Sequence, residues 1–198
     1  MFSNKVLAGA LLFLAGAIIL MGIISGEIFY PAAYTTFSNE ISDLGSTLPP
    51  NVVIYPVPSS IFNATMLISG LMIFAAAYLM YKAKMKLMSK MPIAVLGAGL
   101  FLIGVFPANN EPLHQIIAFV VFLSGGVAAL GISRITKPLF SYISILFGLV
   151  VLITLFIRLT FPAVIFSTLG PGGVERWIAY PLLLWLCGFG GYLMSRAE

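Results

Sequence analysis

Apolar residues run along this chain in long unbroken stretches, not in the alternating pattern of a strand or the half-and-half pattern of a soluble helix. Six stretches are long enough to cross a bilayer core, which is about 30 Å thick and needs roughly 20 helical residues. They are Val6–Ile28, Ser60–Tyr81, Met91–Pro107, Leu113–Arg134, Leu139–Phe161 and Trp177–Ser195. The third is the shortest, roughly 25 Å at about 1.5 Å per residue, so it is expected to stand nearly upright. The runs are apolar on every face, which predicts helices surrounded by lipid and disfavours the alternation of a transmembrane barrel. The first run exceeds the roughly 7–15 apolar residues of a signal peptide and reads as a retained span. The predicted fold class is all-α: one polytopic transmembrane domain over 1–198, with six helices.

The polar positions between these runs sort by charge. Lys5, Lys82, Lys84, Lys86, Lys90, Arg134, Lys137 and Arg196 fall on one side of a six-span layout. Glu27, Glu40, Asp43, Glu111 and Glu175 fall on the other, and only Glu198 joins the basic side. Basic residues mark cytoplasmic connections. Both termini are therefore expected in the cytoplasm and the chain in the cell membrane as a multi-pass protein. The lysine-rich connection Lys82–Lys90 reads as a topology determinant that also rests on anionic lipids.

Composition agrees. Hydrophobic residues make up 61% and charged residues 8%, against roughly a quarter charged in a soluble domain. The net charge of +4 follows the topology and implies no nucleic-acid partner. A single cysteine, Cys187, excludes an internal disulfide and a cysteine-based metal site. Small residues recur within the spans at Gly22 and Gly26, Gly97 and Gly99, Gly125 and Gly126, and Gly188, Gly190 and Gly191. They predict close helix packing within the chain, with homo-oligomerisation through the same faces as the alternative.

Two acid-side connections stand out. Tyr30–Ser59 carries five prolines, Pro31, Pro49, Pro50, Pro56 and Pro58. It is expected to pack over the mouth of the bundle, with a short helix near Asn39–Leu44. The Gly170-Pro171-Gly172-Gly173 stretch predicts a turn just before helix six.

The topology gathers polar side chains at this end, where ionisable groups are costly and usually pair or line a cavity. The candidate ligand-binding residues are Glu40, Asp43, Asn63, His114, Arg158, Glu175 and Arg176. His114 is the only histidine. One turn into helix four, it is suited to act as general base or as a donor to a headgroup, with Glu111 on the same face at i−3. Candidate catalytic residues are His114, Asp43, Ser42 and Glu111, with Ser42 and Asp43 adjacent as a hydroxyl–acid pair. Glu40 and Asp43 either hold a divalent cation with His114 or pair with Arg158 and Arg176; charge balance favours pairing. No metal or other cofactor is expected, and one histidine rules out a three-histidine zinc site. Glu175 reads as a charge at a helix N-terminus. Arg176 has the wrong sign for that position and needs a carboxylate or phosphate partner. Arg158 is expected to pair with Glu27 or Glu111, or to meet a lipid phosphate. Nucleotide-binding, nucleophile-elbow and His-Glu-x-x-His motifs are absent.

The order of short motifs resembles a known family. Asn39-Glu40-Ile41-Ser42-Asp43-Leu44-Gly45 follows helix one, and Ile61-Phe62-Asn63 opens helix two. Phe106-Pro107 precedes Pro112-Leu113-His114, and Glu175-Arg176 runs into Tyr180-Pro181. Together these are similar to the prokaryotic membrane family of domain of unknown function number 998. More distantly they resemble six-span proteins of the Frag1/DRAM/Sfk1 type, linked to lipid handling. The resemblance implies a six-helix bundle, highlights Ser42, Asp43, Asn63, His114 and Glu175, and supplies no activity. The expected function is an outward-facing polar pocket for a lipid headgroup or similar amphiphile, with membrane lipids as partners. The alternative is an intramembrane lipid hydrolase or acyl-transfer enzyme using His114 as base. A transporter ranks below both, because the basic half of each span carries no ionisable residue. An accessory subunit is a fourth reading, on which the sequence does not decide.

Overall fold

The computed structural model describes residues 2–31 and 33–195; Arg196 and Glu198 of the charge partition lie outside them. Among the described residues there are six long helices and no strands. They are α1 (Asn4–Ile28), α2 (Pro56–Lys82), α3 (Leu87–Val105), α4 (Leu113–Ser133), α5 (Pro138–Thr160) and α6 (Pro162–Met194). All six are long and apolar enough to cross a membrane. Proline opens α2, α5 and α6, where its missing N–H costs nothing and its fixed φ suits the first turn. The Ser3 hydroxyl accepts from the Val6 N–H at the start of α1.

Each helix packs on its neighbours in sequence, and α6 returns to α1, so the six close a ring. α5 is the most peripheral, burying only Ser144, Gly148, Val151 and Leu155. Large apolar side chains such as Met21, Leu71, Leu146 and Leu184 cover the outside, a surface suited to lipid and not to water. Between helices lipid supplies no hydrophobic drive, so close approach matters. A methyl group at Gly70 or Gly97 would strike backbone of the partner helix in the α2–α3 seam. Gly9 and Gly190 stand in the same relation across α1–α6. The buried Trp185 indole donates to Ser144 Oγ at 3.0 Å, so that polar edge is satisfied inside the bundle.

Three helices begin a turn or more earlier than their hydropathy windows. α2 starts at Pro56 and takes in the end of the expected loop, and α3 starts at Leu87 with Pro92 absorbed into the helix. The third is α6. The expected break at Gly170–Gly173 is present as a kink, since Gly170 (φ 68°, ψ 164°) leaves helical geometry and separates two helical stretches; the correction is the helical stretch that precedes it from Pro162. The backbone of the long loop docks on this kink: the Gly172 N–H donates to the Phe37 carbonyl at 3.0 Å. A side chain at Gly170 would collide with that same carbonyl. The loop, spanning Tyr30 to Tyr55, carries a 3-10 turn at Ile41–Leu44 where a short helix was expected. Ile41 and Leu44 are buried in the core, which anchors the loop over the ring.

Candidate functional site

Arg176 holds the acid end together. It is 6% exposed, yet its guanidinium reaches five acceptors. Nη1 donates to the carbonyls of Thr36, Asn39 and Gly172 at 3.3, 2.8 and 2.9 Å. Nη2 donates to Glu27 Oε1 at 2.6 Å and to the Tyr34 hydroxyl at 2.8 Å. Tyr34 in turn donates to the Glu40 carbonyl at 2.9 Å. One cation thus joins α1, the loop and α6. The Tyr34 phenol lies well above its ordinary pKa, chiefly because it is buried, and stays protonated as a donor.

Glu175, next to it and 7% exposed, has a different partner from the one expected. It lies past the kink, within the turn that follows Pro171, and its Oε2 accepts the Ile41 N–H and, at 3.4 Å, the Ser42 N–H. It therefore caps the 3-10 turn of the loop and not its own helix. Asp43 Oδ2 closes the same turn from inside, accepting the Glu40 N–H at 2.9 Å and Asn39 Nδ2 at 3.4 Å. Burial, and then the neighbouring Glu40 charge, raise the Asp43 pKa above 3.8. Arg158 pairs with Glu40 at 2.8 Å, the pairing that charge balance favoured, and not with Glu27 or Glu111. Glu27 belongs to Arg176, and Glu111 sits exposed before α4, accepting from Gln115.

His114 is 4% exposed. Its Nδ1 lies 2.7 Å from the Phe106 carbonyl. A carbonyl only accepts, so in the neutral ring Nδ1 carries the proton and Nε2 presents a lone pair. The expected orienting carboxylate, Glu111, does not contact the ring. Asn63 donates to Ser59 Oγ at 3.2 Å, while its own Oδ1 is buried without a partner.

Two cavities meet at this point. A polar one of about 110 Å³ lies in the seam between α4 and α5, under the loop, lined by Glu40, Ser42, His114, Gln115, Arg158 and Glu175 among others. The exposed Gln115, Phe119 and Leu159 form its rim. The second, about 70 Å³, lies inside the ring among Ile19, Ile23, Phe62, Leu96, Ile103 and Leu182. Ser42, His114, Ala118, Phe122 and Glu175 line both. At roughly 10–15 Å³ per water-sized centre, the inner cavity takes about five small groups. Among the described residues the Ser42 hydroxyl has no hydrogen-bond partner, and neither does His114 Nε2.

Of the residues expected at the site, the cavities bring together Glu40, Ser42, His114, Arg158 and Glu175. Asp43, Asn63, Glu111 and Arg176 line neither. Among the described residues no three of His, Cys, Asp and Glu gather to hold a metal ion. Tyr34, the Phe106 carbonyl and Ala118 were not anticipated. A phenol in the polar loop was the one available signal for Tyr34; nothing marks a backbone carbonyl or an alanine.

Six apolar helices with every described acid at one end define a multi-pass membrane protein. Comparison places it further: residues 13–191 match a family described as a protein of unknown function, DUF998, and the chain belongs to that family. No curated protein and no solved structure matches the chain.

Proposed function

We propose that the two cavities together hold one amphiphile, with its polar group beside His114 and Arg158 and its apolar part inside the ring. The observation that carries this reading is the shared wall, where a polar chamber opens into an apolar one at Ser42, His114 and Glu175. Amphiphile sites join these two characters, a mostly apolar lining with a few placed polar groups. The charge of the lining narrows the class. The one arginine of the lining is already paired with Glu40, so no cation is left over for a phosphate. A hydroxyl- or amine-bearing headgroup fits better, donating to Glu175 or His114 Nε2 and accepting from Ser42. By the charge rule the site faces outward from the cell membrane. Kinship with the Frag1/DRAM/Sfk1 type belongs to this proposal and carries none of its weight.

An enzyme is the second reading, favoured by the Ser42 hydroxyl and His114 Nε2 facing the same chambers. It ranks below binding because a neutral carbonyl, and not a carboxylate, orients the ring; an imidazolium formed in catalysis would gain less from it.

Mass spectrometry of lipids retained by the gently solubilised protein tests the proposal. One hydroxyl- or amine-bearing class is expected at tenfold or more over its share of the membrane. Ala118→Phe, which fills the shared wall, abolishes the enrichment while the chain keeps its thermal transition. Retained lipids that mirror the bulk membrane in both proteins would refute it.

A further inference from the structure

At the opposite end, the structure assigns a second site, for a phosphate group carried by a lipid or free in solution. A pocket of about 400 Å³ opens among the start of α1, the α2–α3 and α4–α5 turns and the end of α6. Lys5, Lys84 and Lys86 line it from two separate parts of the chain, with Thr136 beside them and Met85 and Phe189 among its apolar residues. Every described acid lies at the other end, and the ion pairs among the described residues are both there. Three lysines therefore line this pocket without a carboxylate among the described residues. Their neighbours are not in this position: Lys82 and Lys90 lie over the rings of Tyr78 and Tyr81, at 5.4 and 4.5 Å.

The backbone supplies an independent observation. α2 ends with the Met85 N–H on the Met80 carbonyl and the Lys84 N–H on the Tyr81 carbonyl, a closure that places residue 84 in the left-handed region, where glycine is the usual occupant. Lys84 has φ 57°. A lysine here adds steric cost and like-charge repulsion with Lys86 and gains no ion pair within the described protein. Local rules broken without compensation mark functional positions. A topology signal needs only basic residues in the connection; it does not need Lys5 from α1 to face the same pocket. Phosphate fits three ammonium groups, and the apolar lining suits the first carbons of an attached chain.

Binding of dioctanoyl phosphatidate, dioctanoyl phosphatidylcholine and inorganic phosphate to the full chain in a neutral detergent tests this site. Saturable phosphatidate binding is expected, with the choline lipid at least tenfold weaker. K84G weakens phosphatidate tenfold or more while raising the thermal transition, since glycine relieves the backbone. K5Q, on a different helix, weakens it comparably, and K82Q/K90Q leaves it within twofold. Inorganic phosphate competing at the same concentration assigns the site to free phosphate; failure to compete assigns it to a lipid. Non-saturable binding, or an equal loss in K82Q/K90Q, overturns the proposal and leaves a diffuse charged surface.

Discussion

The two ends of this bundle carry opposite charge and use it differently. At the acid end the two arginines are paired, Arg176 with Glu27 and Arg158 with Glu40. Glu175 and Asp43 accept backbone N–H groups of the loop. At the basic end Lys5, Lys84 and Lys86 have no carboxylate partner among the described residues. Burial explains the contrast. A charge removed from water must be matched by a specific partner, so the acid end uses most of its ions to fix the loop and leaves only part of its polar surface facing a cavity. Lysines at a water-facing end need no partner and are available to one from outside.

The comparison implies that removing an acid-end ion costs far more than removing a basic-end one. Arg176→Met strands Glu27 and loses five hydrogen bonds. Breaking a buried pair from one side costs about 3–5 kcal/mol, so a steep fall in the thermal transition and fast proteolysis between Tyr34 and Glu40 are expected. A variant as stable as the parent would show that the loop is held by packing alone. Gly170→Ala comes next: it meets the Phe37 carbonyl and disfavours φ 68°. Such strain costs on the order of 1–3 kcal/mol, read as a lower transition and loop exposure without loss of helix. The smallest effect sharpens the picture by pH. Because the folded pKa of Asp43 is raised above 3.8, the folded chain holds that proton more tightly than the unfolded chain. The resulting stabilisation is full at acid pH and is lost as pH climbs from 3.8 through the raised value, by at most ~1.4 kcal/mol per pH unit. The stability of the parent relative to Asp43→Asn should therefore decline across that window; a flat difference would mean Asp43 titrates normally.

Much of this was legible in the sequence. Span number and most boundaries follow from apolar run length, because a bilayer imposes that length directly. The convergence of Ser42, His114 and Glu175 follows from topology, since hydrocarbon admits ionisable groups only near the ends or in cavities. Partner choice was legible only in part. Glu40 was one of several carboxylates expected for Arg158, and the choice among them turns on the bend of α6 at Gly170, on which the loop is seated. Gly-Pro-Gly-Gly marks the break in α6, but nothing in it announces that a loop carbonyl docks there. Glu175 does stand shortly after a helix restarts, but its role as a cap for the loop depends on a contact across 134 residues.

The amphiphile site is tested most directly by an experimental density map of the protein taken from its own membrane without delipidation. Continuous density is expected from hydrogen-bonding distance of His114 Nε2, past Ala118, into the space between Ile103 and Leu182. Both chambers empty or holding only water, with lipid confined to the outer surface of the helices, would contradict it.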